Sequence, residues 1–415
     1  MERIENVACT VCGCVCDDLT VTVENDRITR ADRACFLAEP WLLGQNAEHP
    51  AVAEIDGQPA DLARALDRAA HLLRQARSPL IYGLSRSTTE GQRAAVALAD
   101  RLGATIDTTA ATGHAPSLMA LQQVGESTCT LGEVKNRADL VIYWDSDPLK
   151  THPRHLERYA APHGRTDRFI VVLGPEETES SRAADLFLRV EPGRDWEVLW
   201  TLRALVKGVS INLPSAKSQA GWSDLAERMK RCRFGIVFFG AGLTRDRLAH
   251  RNVEALLQLV TDLNAFTRFY ARRMRRLGDV AGADSVLTWQ TGYPFAVNFA
   301  KGYPRYNPGE FSAPPMLARG EVDACLFVGS ETTAEFPEAA LDHLCRIPVV
   351  ALESPATRTT VPVAVRFTTA VYGVHRAGTA YRMDEVPIPL KVLLATDYPS
   401  DSDILNALIQ RMPAE

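Results

Sequence analysis

The segment Asp139-Leu-Val-Ile-Tyr-Trp-Asp-Ser146 has a counterpart 184 residues further along the chain, which is Asp323-Ala-Cys-Leu-Phe-Val-Gly-Ser330. In both copies an aspartate precedes five apolar residues, and a second apolar run follows at residues 170–173 and 349–352. Short apolar runs bounded by turn residues are typical of buried parallel strands. The repeat therefore predicts two related α/β domains; the alternative is a chance likeness between two βαβ units.

Outward from the repeat, helical and strand patterns alternate. Residues 62–76 and 89–102 have helical periodicity, and a strand pattern at residues 80–84 separates them. Further strand patterns occupy residues 169–173, 235–239 and 348–352. This alternation indicates βαβ units, so the predicted fold class is α/β with mainly parallel sheets. We expect the two domains to face each other, with a ligand lying across the carboxyl ends of their strands.

The composition is that of an ordinary globular protein. Of the 415 residues, 46% are hydrophobic and 23% are charged, and the formal net charge is −5. These values exclude a disordered chain and leave no overall field to attract nucleic acid or an anionic membrane. Residues 1–6 do not resemble a secretory signal, and the apolar run at 234–243 is shorter than the roughly 20 residues of a membrane span. We therefore expect a cytoplasmic protein.

Five of the nine cysteines fall within the first 35 residues. Four of them have the spacing C-x2-C-x3-C-x18-C, which leaves Cys14 as an extra. Such thiolates suit a 4Fe-4S cluster or a zinc ion, and a remnant site that holds no metal is the third option. A disulfide framework is disfavoured by the odd number of cysteines and the absence of an export signal. Strand patterns at residues 19–23 and 27–29 complete a predicted cysteine-rich head that ends near residue 58.

Four segments carry a likeness to one family. They are residues 7–18 (VACTVCGCVCDD), 151–159 (THPRHLERY), 289–309 (WQTGYPFAVNFAKGYPRYNPG) and 377–387 (AGTAYRMDEVP). With these segments the chain resembles the B subunit of formylmethanofuran dehydrogenase, a branch of the molybdopterin and tungstopterin oxidoreductases. The likeness extends along essentially the whole chain.

The resemblance implies a molybdopterin-oxidoreductase-like body in three parts. These are a cysteine-rich head at residues 1–58, a discontinuous α/β domain at residues 59–137 plus 321–415, and a second α/β domain at residues 138–320. The resemblance also implies four candidate 4Fe-4S ligands, with Cys14 a bystander. The four are Cys9, Cys12, Cys16 and Cys35.

The chain departs from this family at the metal site. In the family that the chain resembles, members that oxidise or reduce formate-level carbon carry a Cys-His-Gly-Pro-Ser motif whose cysteine ligates tungsten or molybdenum. The matching stretch here is Gly113-His114-Ala-Pro-Ser117. Gly113 has no donor atom for a soft metal, so the catalytic site is predicted to be degenerate. His114 persists, and a lone histidine in a loop is typical of a structural hydrogen-bonding residue as well as of a catalytic group.

Two glycine-bearing turns that follow predicted strands are candidate remnants of a cofactor site. Their residues are Gly240, Gly242, Gly329 and Ser330. Backbone amides in such turns can contact a phosphate, but Gly240-Ala-Gly242 lacks the third glycine of a dinucleotide fingerprint.

Two basic stretches have less specific patterns. His152 and His155 follow a strand, which is compatible with a solvated surface or helix cap, or with an anion site. The arginines between residues 268 and 276 have helical spacing and predict an exposed face or an intersubunit contact rather than a nucleic-acid site.

Together with the resemblance, the degenerate site predicts a non-catalytic scaffold. It would be the B subunit of a formyltransferase/hydrolase complex that transfers a formyl group from tetrahydromethanopterin to a methanofuran analogue and releases formate. The partners implied are an amidohydrolase-like A subunit, a C subunit and a formyltransferase-type D subunit. This interpretation requires no cofactor, although it is compatible with a 4Fe-4S cluster. The alternatives are an active redox protein with tungstopterin or molybdopterin and a 4Fe-4S cluster, and an unrelated zinc-binding module.

Overall fold

The computed structural model describes residues 1–46, 50–211, 216–245, 249–329 and 333–413. The strands in these ranges are β1 (Glu2–Val7), β2 (Leu19–Glu24), β3 (Arg27–Asp32), β4 (Ala53–Ile55), β5 (Gln58–Pro59), β6 (Pro79–Gly83), β7 (Thr105–Thr108), β8 (Leu140–Trp144), β9 (Phe169–Gly174), β10 (Leu186–Arg189), β11 (Phe234–Phe239), β12 (Arg268–Arg273), β13 (Val297–Asn298), β14 (Arg305–Tyr306), β15 (Ala324–Val328), β16 (Val349–Glu353), β17 (Val365–Thr368), β18 (Gly378–Tyr381) and β19 (Pro387–Leu390).

The helices in the same ranges are α1 (Ala38–Gly44), α2 (Leu62–Gln75), α3 (Thr89–Leu102), α4 (Ala110–Gly113), α5 (Ala115–Val124), α6 (Leu131–Arg137), α7 (Pro148–Thr151), α8 (Glu179–Arg182), α9 (Asp195–Val206), α10 (Ala216–Arg231), α11 (Ala249–Leu263), α12 (Val280–Thr291), α13 (Ala313–Ala318), α14 (Glu338–Leu344) and α15 (Asp401–Ile409). Short 3-10 or π-helical turns lie at Leu156–Ala160, Ala241–Thr244 and Thr333–Glu335.

The chain forms two compact units. Unit 1 comprises Met1–Thr112 and Leu277–Glu415, and unit 2 comprises Gly113–Arg276. The three-part division with boundaries at residues 58, 137 and 320 remains a prediction.

Unit 2 is built on one parallel sheet with the strand order β10-β9-β8-β11-β12. Every residue of β8 and β11 is buried, as expected for the continuous apolar runs of parallel strands. Helices α5 and α9 pack against α11. The strand order runs outward from β8 in one direction and from β11 in the other, so a topological switch point lies between these two strands.

Unit 1 contains a larger sheet with the order β14-β13-β7-β6-β15-β16-β17-β4-β5. Its five central strands are mutually parallel and lie in the order β7-β6-β15-β16-β17. The strands that flank them, β13 and β4, pair antiparallel with β7 and β17. Helices α12 and α15 pack against α3. The switch point of this sheet lies between β6 and β15, because the chain order runs outward in both directions from that pair.

The sequence repeat corresponds to equivalent places in the two sheets. Strand β8 begins β8-β9-β10 in unit 2, and β15 begins β15-β16-β17 in unit 1, with a second strand pair on the other side of each. At the seventh position of the repeat, Asp145 and Gly329 both have left-handed backbone, with φ of 44° and 76°. The prediction of two related α/β domains with mainly parallel sheets is confirmed.

Asp139 and Asp323, the first residues of the two copies of the repeat, play the same structural role. The Asp139 carboxylate accepts hydrogen bonds from the backbone N–H of Arg233 (3.0 Å) and Phe234 (2.9 Å), where β11 begins. The Asp323 carboxylate accepts from the backbone N–H of Arg77 (2.7 Å) and Ser78 (2.9 Å), immediately before β6. Each aspartate thus satisfies backbone donors at the entry to the neighbouring strand across the switch point.

The amino-terminal part of unit 1 folds as an antiparallel sheet of β1, β2 and β3. Asn25 and Asp26 form the turn between β2 and β3 with φ of 49° and 56°, a conformation that Asn and Asp tolerate better than most residues. The two predicted strands are present, and β1 is an additional strand that the sequence pattern did not indicate. Among the helices that the structure describes, none is both long enough and apolar enough to cross a membrane.

Candidate functional site

A cavity of about 550 Å³ opens at the switch point of unit 2. Its wall is formed by residues at the carboxyl ends of β8, β9, β11 and β12, which is where ligands of open α/β sheets bind. The charged lining residues are Asp145, Asp147, Lys150, Glu176, Arg245 and Arg276. Both signs of charge are present, so the cavity offers acceptors for N–H groups of a ligand and cationic partners for its anionic groups.

The predicted turn residues Gly240 and Gly242 line this cavity. A Cβ atom on Gly240 would lie 2.5 Å from the Asp145 carbonyl oxygen, and one on Gly242 would overlap the Asp145 carboxylate. The N–H of Gly240 donates to the Trp144 carbonyl oxygen at 3.1 Å. Glycine is therefore required at residue 240, where a Cβ atom would meet the backbone of the loop after β8, whereas at residue 242 the contact is with the Asp145 side chain.

The other predicted turn, in unit 1, is only partly described. Gly329 lines a cavity of about 40 Å³ beside Arg86 and Tyr372, and Ser330 lies outside the described residues. This space is small beside the roughly 300–1,000 Å³ of a typical ligand pocket.

The degenerate motif lies beside the cavity loop of unit 2. Gly113 ends α4, and its carbonyl oxygen accepts a hydrogen bond from Thr244 Oγ1 at 3.1 Å. Thr244 belongs to the 3-10 turn that follows Gly240. Apart from its chain neighbours and the backbone of its own helix, no heavy atom lies within 4 Å of the position that a Cβ on Gly113 would occupy. The fold therefore has room for a side chain at residue 113.

His114 is a buried, neutral imidazole at this position. Burial, and after it the charges of Arg275 and Arg273, hold the pKa of His114 well below its usual range. A neutral imidazole beside arginines can donate or accept a hydrogen bond, but it is not a soft anionic ligand. The residues present at positions 113 and 114 therefore do not fit a protein-ligated tungsten or molybdenum ion.

The prediction of an exposed helical face is wrong for three of the five arginines in this run, while Arg268 and Arg276 are exposed. Residues 268–273 form strand β12, and Arg272, Arg273 and Arg275 are buried rather than exposed on a helix. Arg273 pairs with Glu126 at 3.2 Å, and Arg272 donates to the Cys129 carbonyl oxygen at 2.9 Å. This burial is possible because the partners of these arginines come from distant parts of the chain, and a local sequence pattern cannot predict such partners.

The solvated interpretation of His152 and His155 is also wrong, because both side chains are buried. His152 Nε2 lies 2.7 Å from the Arg275 carbonyl oxygen, and burial lowers the pKa of His152 to about 4. His155 Nδ1 lies 2.8 Å from Tyr143 Oη, and its ring packs edge-on against Phe238. The two histidines are core residues of unit 2.

The head cysteines lie on a tight loop that is held from both ends. The Cys9 N–H donates to the Cys16 carbonyl oxygen at 2.8 Å, and Val15, with φ of 37°, donates to the Cys12 carbonyl oxygen at 3.1 Å. Arg86 Nη1 donates to the Thr10 carbonyl oxygen at 2.5 Å. None of the nine cysteines forms a disulfide bond.

The predicted thiol set interacts electrostatically. Burial, followed by the proximity of Cys12, Cys16 and Cys35, raises the pKa of Cys9 well above its usual value. A hydrogen bond with Cys14 lowers the pKa of Cys12, opposing the effect of burial, and the charge of Arg86 acts in the same direction. A cationic neighbour of this kind favours the thiolate, which is the form that binds metals.

Four cysteine thiols are a donor set that suits either a zinc ion or a 4Fe-4S cluster. Among the described residues, no three His, Cys, Asp or Glu side chains are arranged to hold one metal ion. A tetrahedral zinc site with Zn–S bonds of about 2.3 Å needs its sulfurs roughly 3.8 Å apart. A 4Fe-4S cluster places four irons between its thiolates and so accepts more widely spaced sulfurs.

Sequence comparison links the chain to known proteins along its whole length, although no protein-family model matches it. It is 40% identical over 434 residues to the B subunit of tungsten-containing formylmethanofuran dehydrogenase 2 of Methanocaldococcus jannaschii, and 38% identical over 433 residues to that of Methanococcus maripaludis. Each match covers 99% of both chains. The B subunit of the formyltransferase/hydrolase complex Fhc of Methylorubrum extorquens is 28% identical over 284 residues, covering 66% of this chain and 74% of that one.

Two solved structures share the fold. The formyltransferase/hydrolase complex FhcABCD of Methylorubrum extorquens with methylofuran gives a TM-score of 0.72 at 24% identity, covering 87% of this chain and 98% of that one. Acetylene hydratase of Pelobacter acetylenicus gives a TM-score of 0.67 at 11% identity, covering 98% of this chain and 69% of that one. They confirm the predicted molybdopterin-oxidoreductase-like fold. With 40% identity along 99% of its length, the chain belongs to the family of formylmethanofuran dehydrogenase B subunits.

Proposed function

We propose that this chain is the B subunit of a formyltransferase/hydrolase complex and is not itself catalytic. The observation that carries the proposal is Gly113, which occupies the place of the metal-ligating cysteine in the motif of redox-active relatives. Glycine has no donor atom, whereas a soft metal at this position depends on a thiolate. Because space for a side chain exists at residue 113, a cysteine there is sterically allowed, and its absence is not a requirement of the fold.

The reaction that we assign to the complex needs no electrons. A formyl group passes from tetrahydromethanopterin to the amine of a methanofuran analogue, and water then cleaves the resulting formamide to the amine and formate. Neither step changes an oxidation state, so a chain without a redox metal is sufficient. The 28% identity to the Fhc B subunit supports this assignment.

We assign the chemistry to partner chains. An amidohydrolase-like A subunit would perform the hydrolysis, a formyltransferase-type D subunit would perform the transfer, and a C subunit would complete the assembly. The likeness in fold to a chain of the FhcABCD complex is compatible with such an assembly. In this proposal the complex is cytoplasmic.

A second candidate is an active tungsten or molybdenum component of formylmethanofuran dehydrogenase. Two observations favour it: the 40% identity to a tungsten-containing relative over the whole chain, and the cavity of about 550 Å³ at the switch point of unit 2. A pterin nucleotide bound there would have Gly240 and Gly242 at its phosphates and Lys150 and Arg245 as cationic partners. The metal would then have to do without a protein thiolate.

Both candidate functions accommodate an iron–sulfur cluster on the cysteine thiols of the head. We propose Cys9, Cys12, Cys16 and Cys35 as ligands of a 4Fe-4S cluster. Cys14 would not ligate iron and would instead hydrogen-bond to Cys12. In the dehydrogenase candidate this cluster carries electrons. In the favoured candidate it is a structural group inherited with the fold.

The test uses the native complex, purified anaerobically through an affinity tag on this chain. Formate-dependent reduction of a viologen dye reports redox catalysis, and formate release from formyl-tetrahydromethanopterin plus the methanofuran analogue reports transfer and hydrolysis. We expect formate release, no dye reduction, and three further proteins in the preparation. Dye reduction at a rate comparable with formate release would overturn the proposal in favour of the second candidate.

A further inference from the structure

Four arginines converge at the amino-terminal edge of the unit 2 sheet. Arg137 ends α6 shortly before β8, Arg165 precedes β9, Arg233 precedes β11, and Arg268 opens β12. Because these strands are parallel neighbours, residues at their beginnings meet at one edge. This edge lies opposite the carboxyl ends that form the cavity of the proposed function.

The four arginines line a cleft of about 360 Å³. Asn136, Asp167 and Phe234 are the other lining residues, and Asp139 pairs with Arg233, so four guanidinium groups stand against two carboxylates. This local excess of positive charge contrasts with the formal net charge of −5 for the whole chain. A cleft of this size can enclose a small molecule, but not a folded protein segment.

Two of the arginines are fixed by hydrogen bonds. Arg165 donates from Nε to Asp167 at 2.8 Å and from Nη1 to the Asn136 carbonyl oxygen at 2.9 Å. Arg233 donates from Nε to Asp139 at 3.2 Å and from Nη2 to Asp167 at 3.0 Å. Asp139 and Asp167 are therefore already engaged as acceptors, and the held arginines form a preorganised wall.

The other two arginines are exposed and available. The side chains of Arg137 and Arg268 make no hydrogen bond or ion pair with another side chain or with the backbone in the part of the chain that the structure describes. A guanidinium group presents a planar fork of donors that matches phosphate and carboxylate oxygens. The cleft thus combines two fixed cations with two that can close on a ligand.

We propose that this cleft is a binding site for a small polyanion, a molecule that carries two or more phosphate or carboxylate groups. The held Arg165 and Arg233 supply the fixed field, and Arg137 and Arg268 supply the ligand-dependent hydrogen bonds. Phe234 supplies an apolar contact beside them. The site is separate from the cavity at the carboxyl ends of the strands, and the inference does not depend on the function proposed above.

The test is isothermal titration calorimetry of the full chain with tripolyphosphate and, separately, with citrate, at low salt. The two ligands distinguish a phosphate preference from a carboxylate preference. The double variant Arg137→Gln, Arg268→Gln removes the two available arginines. Arg74→Gln, Arg93→Gln is the matched control, because it removes two exposed arginines from α2 and α3 of unit 1.

We expect saturable binding of at least one ligand with one site per chain. The cleft variant should weaken it at least tenfold, and the control variant should change it less than twofold. Circular dichroism of both variants checks that they are folded, and if the cleft variant is unfolded, Arg137→Gln and Arg268→Gln are tested singly. Absence of binding for both ligands, or equal losses in the cleft and control variants, would overturn the proposal.

Discussion

Restoring the missing cysteine separates the steric from the chemical meaning of Gly113. In the variant Gly113→Cys the new side chain enters space in which no heavy atom beyond its chain neighbours and its own helix backbone lies within 4 Å of the Cβ position. Residue 113 ends a helix without a left-handed φ, so a cysteine adopts the same backbone and gains about 0.3 kcal/mol in helix propensity over glycine. We expect the free energy of unfolding to change by less than about 0.5 kcal/mol.

Gly240→Ala is the matched comparison in the same unit. Its single methyl group would lie 2.5 Å from the Asp145 carbonyl oxygen, and relief requires movement of a loop that already has left-handed backbone at Asp145. Overpacking of this kind costs about 1–3 kcal/mol. Urea unfolding of the two variants and the parent chain gives both values. A loss above about 1 kcal/mol in Gly113→Cys would refute the reasoning about open space at that position.

The same Gly113→Cys variant tests the functional argument. If the chain is a scaffold, a single thiol does not recreate a redox centre, and formate-dependent dye reduction by the complex stays at background. Recovery of dye reduction would show that the loss of the cysteine alone had silenced an otherwise intact site, and the scaffold proposal would fail.

Three further outcomes follow from buried charged groups. Burial raises the pKa of Asp107 to about 7 and that of Asp279 to about 8. Because a carboxyl with a raised pKa loses its stabilising proton as pH rises, the free energy of unfolding in urea should fall by roughly 2–3 kcal/mol between pH 6.5 and 9. Constant or rising stability over this range would contradict the prediction. Glu126→Gln should lower the free energy of unfolding by about 3 kcal/mol, because it removes the carboxylate that pairs with the buried Arg273. Asp224→Asn, which breaks an exposed pair with Arg228, should have no measurable effect. Equal effects of the two substitutions would be evidence against a special role for burial. The imidazole of His152 should remain neutral from pH 5.5 to 8 in nitrogen NMR spectra, because burial lowers its pKa to about 4; a titration midpoint near 6.5 is the opposing result.

The parallel strands were predictable from sequence because burial on both faces leaves an apolar run with no alternation. Strand β8 occupies residues 140–144 and β15 residues 324–328, the two apolar runs of the repeat. Strand β1 was missed because five of its six residues are not buried and three are charged, which hides the strand pattern. The same physical contrast explains why the core was easier to predict than the edge.

The buried polar residues were not predictable, because their partners come from distant parts of the chain. Arg272 and Arg273 look like surface charges in a basic run, but in the fold they find partners such as Glu126 and the Cys129 carbonyl group, which make their burial in a strand acceptable. His155 is similar, since Tyr143 Oη provides its hydrogen bond within the core. In contrast, the positions of Gly240 and Gly242 beside a switch-point cavity agree with the sequence pattern, since turns after parallel strands converge there.

Elemental analysis of the native complex, purified without oxygen, tests the central claim most directly. The account predicts neither tungsten nor molybdenum above trace levels, together with active formyl transfer and hydrolysis. Iron at about four atoms per chain would agree with a structural cluster on the head thiols. One tungsten or molybdenum atom per chain would contradict the claim that this protein is not a redox catalyst.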